Sequence, residues 1–221
     1  MSLTLKEILQ KKKEQAERVD RPKVDYFSLT NNNPARIRFL QELDTESKNY
    51  DPARGSAYFS VEHTSPHNFK QRAECTYETE GRCFACEMAT EEPDKGWWQK
   101  TNMYIQVFDA KDESVKVLSR PALGTFLESL YGWAEDENDG SIVGPTFKIT
   151  KGANKKDPWV VMPTNRELEV PEASLAQMVD LSKIGFKVEY DKQKKFYLPA
   201  GSTEERPEES KPKFADDDVA W

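Results

Sequence analysis

Cysteine and histidine side chains are concentrated in one short stretch of this sequence. The 221 residues include three cysteines, Cys75, Cys83 and Cys86, and two histidines, His63 and His67, all between positions 63 and 86. Cys83 and Cys86 form a CxxC pair, a spacing that lets two thiolates bind one ion from a tight turn. Zinc usually takes four nitrogen or sulfur ligands in a tetrahedron. Three thiolates and one imidazole therefore predict one zinc ion.

The fourth ligand can be either histidine. His63 follows the end of a strand-like run over residues 58–61, and His67 follows Pro66 in a loop. We favour His63, because a strand end presents a ligand rigidly, and keep His67 as the alternative. A closed Cys3His set leaves no open position for a substrate, so we expect a structural zinc ion and no enzymatic activity.

Other chemistries fit the cysteines less well. A redox role for the CxxC pair would need a βαβ setting, which the pattern of strands and helices does not provide. A zinc-dependent hydrolase would need further histidines or carboxylates around an open metal, and the sequence has no spare histidine cluster. Unrelated buried thiols are the remaining alternative. The grouping of all five side chains within 24 residues favours zinc.

Runs of alternating apolar and polar residues predict the strands that position these ligands. Strands are expected at residues 35–40, 57–61, 99–109, 114–119, 146–150 and 158–162, and helices at 3–19, 121–131 and 171–183. Short strands interrupted by a few helices favour a mainly β, α+β protein. The expected architecture is an OB-fold barrel over residues 31–199, with an inserted zinc-binding subdomain at about residues 62–98.

Composition and charge limit the partners of this domain. No apolar run approaches the roughly 20 residues of a membrane span, and the N-terminus lacks the apolar core of a signal peptide. We therefore expect a cytoplasmic protein without a membrane partner. The net charge is −7, but nine Lys and Arg oppose five Asp and Glu in residues 1–38, and seven Asp and Glu oppose three Lys and Arg in residues 201–221. These segments predict a basic arm over residues 1–30 and a disordered acidic tail over residues 200–221.

A polar and aromatic strand face follows the cysteines. Strand alternation places Lys100, Tyr104 and Phe108 on one side of the strand at 99–109, and an apolar set on the other. Rings and cations on one face suit single-stranded nucleic acid, because rings stack on bases and cations bind phosphates. The expected contacts are Arg36, Arg38, Lys70, Arg72, Trp97, Trp98, Lys100, Tyr104, Phe108, Lys151, Lys155 and Lys156. Each ring has the alternative of packing into the core, although Trp97 and Trp98 cannot both do so in an extended segment.

These residues resemble the zinc-containing single-stranded DNA-binding (helix-destabilising) proteins of tailed phages. The likeness covers about residues 30–185 and runs through Ala35-Arg-Ile-Arg-Phe-Leu, Val61-Glu-His63, Cys75, Cys83-x-x-Cys86, Gln99-Lys-Thr-Asn and Leu175-Ala-Gln-Met-Val-Asp-Leu-Ser182. It implies an OB-fold with a zinc subdomain beside it, a cleft between them for single-stranded DNA, and an N-terminal arm for cooperative self-association. The ligand order of the family implies His63 rather than His67.

The acidic tail ends in Asp216, Asp217, Asp218 and Trp221, and is similar to the tip of bacterial single-stranded DNA-binding proteins. The resemblance implies that this tip recruits replication and recombination proteins, and we expect the free tail to cover the DNA groove. The expected function is a sequence-tolerant single-stranded DNA-binding protein of phage DNA replication, recombination and repair. The alternative is a non-enzymatic, zinc-containing protein-interaction adaptor that uses the aromatic residues as its interface.

Overall fold

The computed structural model of the protein describes residues 24–29, 33–152 and 159–198. The helix predicted at residues 3–19 lies outside the described residues, as do the predicted contacts Lys155 and Lys156. Of the arm predicted at residues 1–30, the structure describes only residues 24–29. The predicted tail with Asp216, Asp217, Asp218 and Trp221 also lies outside the described residues.

Seven strands form one sheet in which the paired strands run antiparallel. They are β1 (Ala35–Phe39), β2 (Tyr58–Ser65), β3 (Asn68–Glu74), β4 (Gln99–Asp109), β5 (Ser114–Pro121), β6 (Thr146–Lys151) and β7 (Trp159–Thr164). Their order across the sheet is β3-β2-β4-β1-β6-β7, and β5 pairs with β4 off this path.

Strand β4 organises the sheet because it pairs with three other strands. Residues 99–104 of β4 pair with β2, and residues 107–109 pair with β1. Residues 102–109 pair with β5. The hairpin predicted between β4 and β5 is therefore confirmed, and the two halves of the sheet meet along this one strand.

The sheet is not closed into a barrel within the part of the chain that the structure describes. The N–H of Phe27 donates to the carbonyl of Val117 at 2.9 Å, and the N–H of Val117 donates to the carbonyl of Asp25 at 2.8 Å. Residues 25–27 thus occupy an edge of β5 that another strand would need for closure. The mainly β, α+β class is confirmed, whereas the expected OB-fold barrel is not.

The described helices are short apart from one. They are α1 (Tyr77–Glu80), α2 (Phe84–Glu91), α3 (Thr125–Glu137), α4 (Glu172–Leu175) and α5 (Tyr190–Tyr197), with 3-10 turns at Pro93–Lys95 and Leu181–Lys183. The helix predicted at residues 121–131 is confirmed in part, since α3 begins at Thr125 and ends at Glu137. The helix predicted at 171–183 is wrong over most of its length, because the backbone of Val179 bonds to the side chain of Gln106 instead of to a helical turn.

The main core lies between one face of the sheet and α3. Phe126, Leu130 and Ala134 of α3 are buried against the inward side chains of the strands. The strand members of this cluster are Ile37, Phe39, Met103, Ile105, Val107, Leu118, Phe147, Ile149 and Val161. We call the side of the sheet that carries these residues the core face, and the opposite side the outer face.

Among the described residues, no helix is both long enough and apolar enough to cross a membrane.

Candidate metal centre

The structure brings four metal-ligating side chains together. The ligand atoms of His63, Cys75, Cys83 and Cys86 all lie within 4.8 Å of one another. Cys75 Sγ lies 3.5 Å from Cys86 Sγ, and Cys86 Sγ lies 3.3 Å from His63 Nε2. These four residues can hold one metal ion. His67 is exposed and stands outside the cluster, with its ring 6.0 Å from that of Trp97.

Three different elements position the ligands. His63 lies within β2, paired with Ala73 of β3 and Gln99 of β4. Cys75 directly follows β3, and its N–H donates to the carbonyl of Val61 at 2.8 Å. Cys83 directly precedes α2, so the first turn of this helix brings Cys86 to the same side. The sheet therefore fixes two ligands and the helix start fixes the other two.

A backbone carbonyl orients the imidazole. His63 Nδ1 lies 3.3 Å from the carbonyl oxygen of Trp97, and the ring is fully buried. A proton on Nδ1 that donates to this carbonyl leaves Nε2 as a lone-pair donor toward the thiols. Such outer hydrogen bonds commonly set the tautomer and orientation of a metal-binding histidine.

Helix α5, the last helix in the described part of the chain, holds the turn that carries Cys83. The N–H of Phe84 donates to Gln193 Oε1 at 2.8 Å, and Gln193 Nε2 donates to Thr76 Oγ1 at 2.9 Å and to the carbonyl of Val188 at 2.8 Å. Gln193 is fully buried. Residues near the end of the described chain are thus part of a metal-binding unit that the sequence placed at residues 62–98 only.

Trp97 belongs to the interior of this unit. Its side chain is fully buried, with ring centroids 5.9 Å from Tyr197 and 6.0 Å from Phe84. The prediction of Trp97 as a base contact is therefore wrong in this structure, because packing on α5 leaves the ring no exposed face. The expectation that only one ring of the Trp97 and Trp98 pair is buried is confirmed, since Trp98 is 64% exposed.

The thiols differ in their ionisation. Burial alone would raise the pKa of Cys83, but hydrogen bonding to His63 and to the backbone of Thr76 and Cys86 lowers it to about 6. Burial raises the pKa of Cys75, and burial together with the neighbouring thiols raises that of Cys86. A bound cation would supply the positive charge that stabilises all three thiolates.

Gln99 covers the more accessible side of the cluster. Its Nε2 lies 3.3 Å from Cys86 Sγ and 3.6 Å from Cys75 Sγ, the two thiols that are partly exposed. Sequence analysis did not assign Gln99 a role at the metal centre. Gln99 is paired with His63 across β2 and β4. This pairing would have indicated its role, but it cannot be known before the strand pairing is known.

Several predicted nucleic-acid contacts cluster on the outer face beside this centre. Trp98 directly precedes β4, and by strand alternation it shares the outer face with Lys100. Arg72 lies two strands away on the same face, opposite Thr64 of β2, and Lys70 shares its side of β3. All four side chains are exposed. Arg72 Nε also pairs with Glu62 Oε2 at 3.0 Å.

Tyr104 and Phe108 are not part of an exposed platform. Each is 2% exposed, so their prediction as stacking rings is wrong in this structure. The hydroxyl of Tyr104 donates to Glu62 Oε1 at 2.5 Å. Leu181 packs in a small cluster with Tyr104, and the amide of Gln106 exchanges two hydrogen bonds with Val179. The segment around residues 179–181 thus covers the middle of the outer face.

Two further predicted cations, Arg36 and Arg38, lie at the far end of the outer face. Arg36, Lys148 and Met162 are neighbours across β1, β6 and β7, and all are exposed. Arg38 Nη1 donates to the carbonyl of Leu168 at 3.1 Å. Lys151 ends β6 and is exposed, but by strand alternation it lies on the side of Phe147 and Ile149 and so is not part of the outer face. Lys148 and Met162 were missed by sequence analysis, because the pairing of three strands is needed to group them with Arg36.

The chain was compared with protein-family models, with curated proteins and with solved structures, and none of them matched it.

Proposed function

We propose that this chain is a sequence-tolerant single-stranded DNA-binding protein that contains one structural zinc ion. The observation that carries the proposal is the exposed Trp98 ring beside Lys100, Arg72 and Lys70 on one face of the sheet. An exposed ring offers stacking to any base, worth about 1–3 kcal/mol per base, and the cations offer contacts to the backbone phosphates.

A second group of cations supports the same function. Strands β1, β6 and β7 contain no acidic residue, and Arg36, Arg38 and Lys148 are their cations on the outer face. An extended strand of nucleic acid carries charge along its whole length, so two separated basic patches on one face suit it. This proposal does not need a closed barrel, since stacking and phosphate contacts require only an exposed sheet face.

Zinc is the metal that the ligand set favours. With Zn–S of about 2.3 Å and Zn–N of about 2.1 Å, a tetrahedron separates two sulfurs by about 3.8 Å and sulfur from nitrogen by about 3.6 Å. The observed separations of 3.5 Å between Cys75 Sγ and Cys86 Sγ, and of 3.3 Å between Cys86 Sγ and His63 Nε2, are a little shorter. Small outward shifts would therefore accommodate the ion. Four protein ligands leave no position for a substrate, which supports a structural role.

The metal centre would act on DNA binding through the chain that carries Trp98. The carbonyl of Trp97 is within hydrogen-bond distance of His63, and Gln99 donates toward two of the thiols. These contacts lie on either side of Trp98 in sequence. A bound ion would therefore hold Trp98 and Lys100 in a fixed position on the outer face.

Fluorescence titration with oligo(dT) tests the proposal. Binding should quench tryptophan emission, and the logarithm of the affinity should fall linearly with the logarithm of the salt concentration. Trp98→Ala should lose most of the quenching and bind about five- to 150-fold more weakly, as loss of one stacked base predicts. Leu123→Ala is the matched control, because Leu123 is a 90% exposed apolar residue that is not among the proposed DNA contacts.

The outcome that contradicts the proposal is equally definite. If oligo(dT) causes no quenching in a chain shown to contain zinc, the protein-interaction adaptor becomes the better interpretation. The same proposal includes three further parts. The protein acts in phage DNA replication, recombination and repair, its acidic tail recruits partners, and its N-terminal arm mediates self-association.

A further inference from the structure

An apolar groove lies beside α3, on the core face of the sheet. It has a volume of about 350 Å³ and is lined by Leu43, Phe59, Ala122, Leu127 and Tyr131, with Asp44 and Glu128 at its rim. Phe59 is 43% exposed and Tyr131 is 52% exposed. Two large rings and a leucine therefore offer apolar surface to a partner at one place.

The groove is separate from the surface proposed to bind DNA. Phe59 pairs with Met103 in the β2 and β4 register, and Met103 belongs to the main core. Phe59 is therefore on the core face, at the margin that α3 leaves uncovered. Trp98 and Lys100 lie on the outer face, so one partner can occupy the groove while another occupies the outer face.

Acidic side chains surround the groove. Glu128, Tyr131 and Glu135 follow one another on α3 at spacings of three and four residues, so they share one side of the helix. The charge of Glu135 raises the pKa of Tyr131, and Asp44 adds to the effect. The sequence of α3 contains no lysine or arginine. The groove is thus apolar at its floor and negative at its rim.

The end of α3 carries charges that do not favour the helix itself. Glu135, Asp136 and Glu137 form its last turn, where the helix dipole favours cations over anions. A local arrangement that costs stability is often retained for a function. A cationic partner lying along α3 would offset this repulsion.

We propose that this groove binds a basic amphipathic helix of a partner protein. Apolar side chains of that helix, spaced at i, i+3, i+4 and i+7, would fill the space between Phe59, Leu127 and Tyr131. Its lysines or arginines would reach Asp44, Glu128 and Glu135. Charge complementarity selects this occupant, since an acidic helix would face like charges along the whole rim. The inference does not depend on DNA binding.

The test uses the full-length chain and a labelled model helix built only of leucine and lysine, with leucines at the helical spacing above. Fluorescence anisotropy should show saturable binding, and Tyr131→Ala should weaken it at least about tenfold, as for a central aromatic contact. The double variant Glu128→Lys and Glu135→Lys should lose binding of the lysine peptide and gain binding of the matching leucine and glutamate peptide. These side chains are exposed, so near-ultraviolet circular dichroism should confirm unchanged folding.

Three results would overturn the inference. One is equal affinity of the unmodified chain for the lysine and the glutamate peptides. Another is binding that survives Tyr131→Ala but is lost in Trp98→Ala, which would place the peptide on the outer face. The last is self-association of the chain, measured by sedimentation velocity, that is lost in Tyr131→Ala. The occupant of the groove would then be a second copy of this chain and not a partner protein.

Discussion

His63 Nδ1 lies 3.3 Å from the backbone carbonyl oxygen of Trp97. One of the four side chains that could hold a metal ion is thereby joined to the residue next to Trp98, whose ring is exposed. The side chain of Trp97 strengthens the link, because it is buried among Phe84 and Tyr197 in the same unit. Disturbing the metal centre is therefore expected to reach the outer face through this segment.

Metal removal should loosen one part of the chain first. Chelation with EDTA should increase amide hydrogen exchange in residues 63–98 and 186–198, because these residues pack around the four ligands. Exchange in β1, β6 and α3 should change much less. Hydrogen exchange with mass spectrometry measures both regions in one experiment, and a uniform increase over the described core would argue against a separate metal-stabilised unit.

Gln99 should strengthen metal retention. Gln99→Leu removes the amide that donates toward Cys75 and Cys86. In competition with a chelator, the variant should show a zinc affinity at least about tenfold lower than that of the unmodified chain. In the cobalt-substituted protein, the thiolate-to-metal absorption band should shift as well. Lys100→Met is the control, since Lys100 is the exposed neighbour on the other side of β4. Equal zinc affinity in Gln99→Leu and in the control would show that Gln99 has no role in metal binding.

Zinc affinity should rise with pH. Burial raises the pKa of Cys75 and Cys86, so zinc must displace their protons near neutral pH, whereas the pKa of Cys83 is lowered to about 6. The thiols should thus contribute a slope of about two in a plot of log affinity against pH above pH 7, rising toward three below pH 6. Competition titrations at several pH values measure this slope, and a pH-independent affinity would contradict the proposed ligand set.

Tyr104 should matter for stability and not for stacking. Tyr104→Phe keeps the ring but removes the hydroxyl that donates to Glu62 at 2.5 Å, leaving a buried carboxylate with fewer donors. The free energy of unfolding should fall by about 1–3 kcal/mol in urea titrations. Affinity for oligo(dT) should stay within about twofold of that of the unmodified chain. Loss of a ring that stacks on a base would weaken binding by more than this. A tenfold loss of affinity without loss of stability would restore Tyr104 as a direct contact.

Local pattern predicted the cluster of His63 and the three cysteines, which could hold a metal ion, because these residues are close in sequence. His63 could be preferred over His67 because it follows the end of a predicted strand, and the β4 and β5 hairpin follows from two runs separated by a short turn. Strand alternation also predicted that Trp97 and Trp98 point to opposite sides. Each of these inferences needs only neighbouring residues.

The same alternation could not show what covers a strand face. Lys100, Tyr104 and Phe108 do share one side of β4, but whether that side is exposed depends on a segment more than 70 residues away, which Gln106 binds through Val179. Helix α5 was missed for a related reason. Its sequence, YDKQKKFY, is mostly polar, and its contribution comes from the buried Gln193 and Tyr197 at long range.

Ultraviolet cross-linking of oligo(dT) to the full-length chain, followed by mass spectrometry of the modified peptides, tests the central claim most directly. Trp98 should be a principal cross-linked residue, with further cross-links near Arg72 or Arg36 on the outer face, and added salt should suppress them together. Cross-links confined to the groove beside Tyr131, or no cross-link to the outer face at a concentration where oligo(dT) binds, would contradict the account.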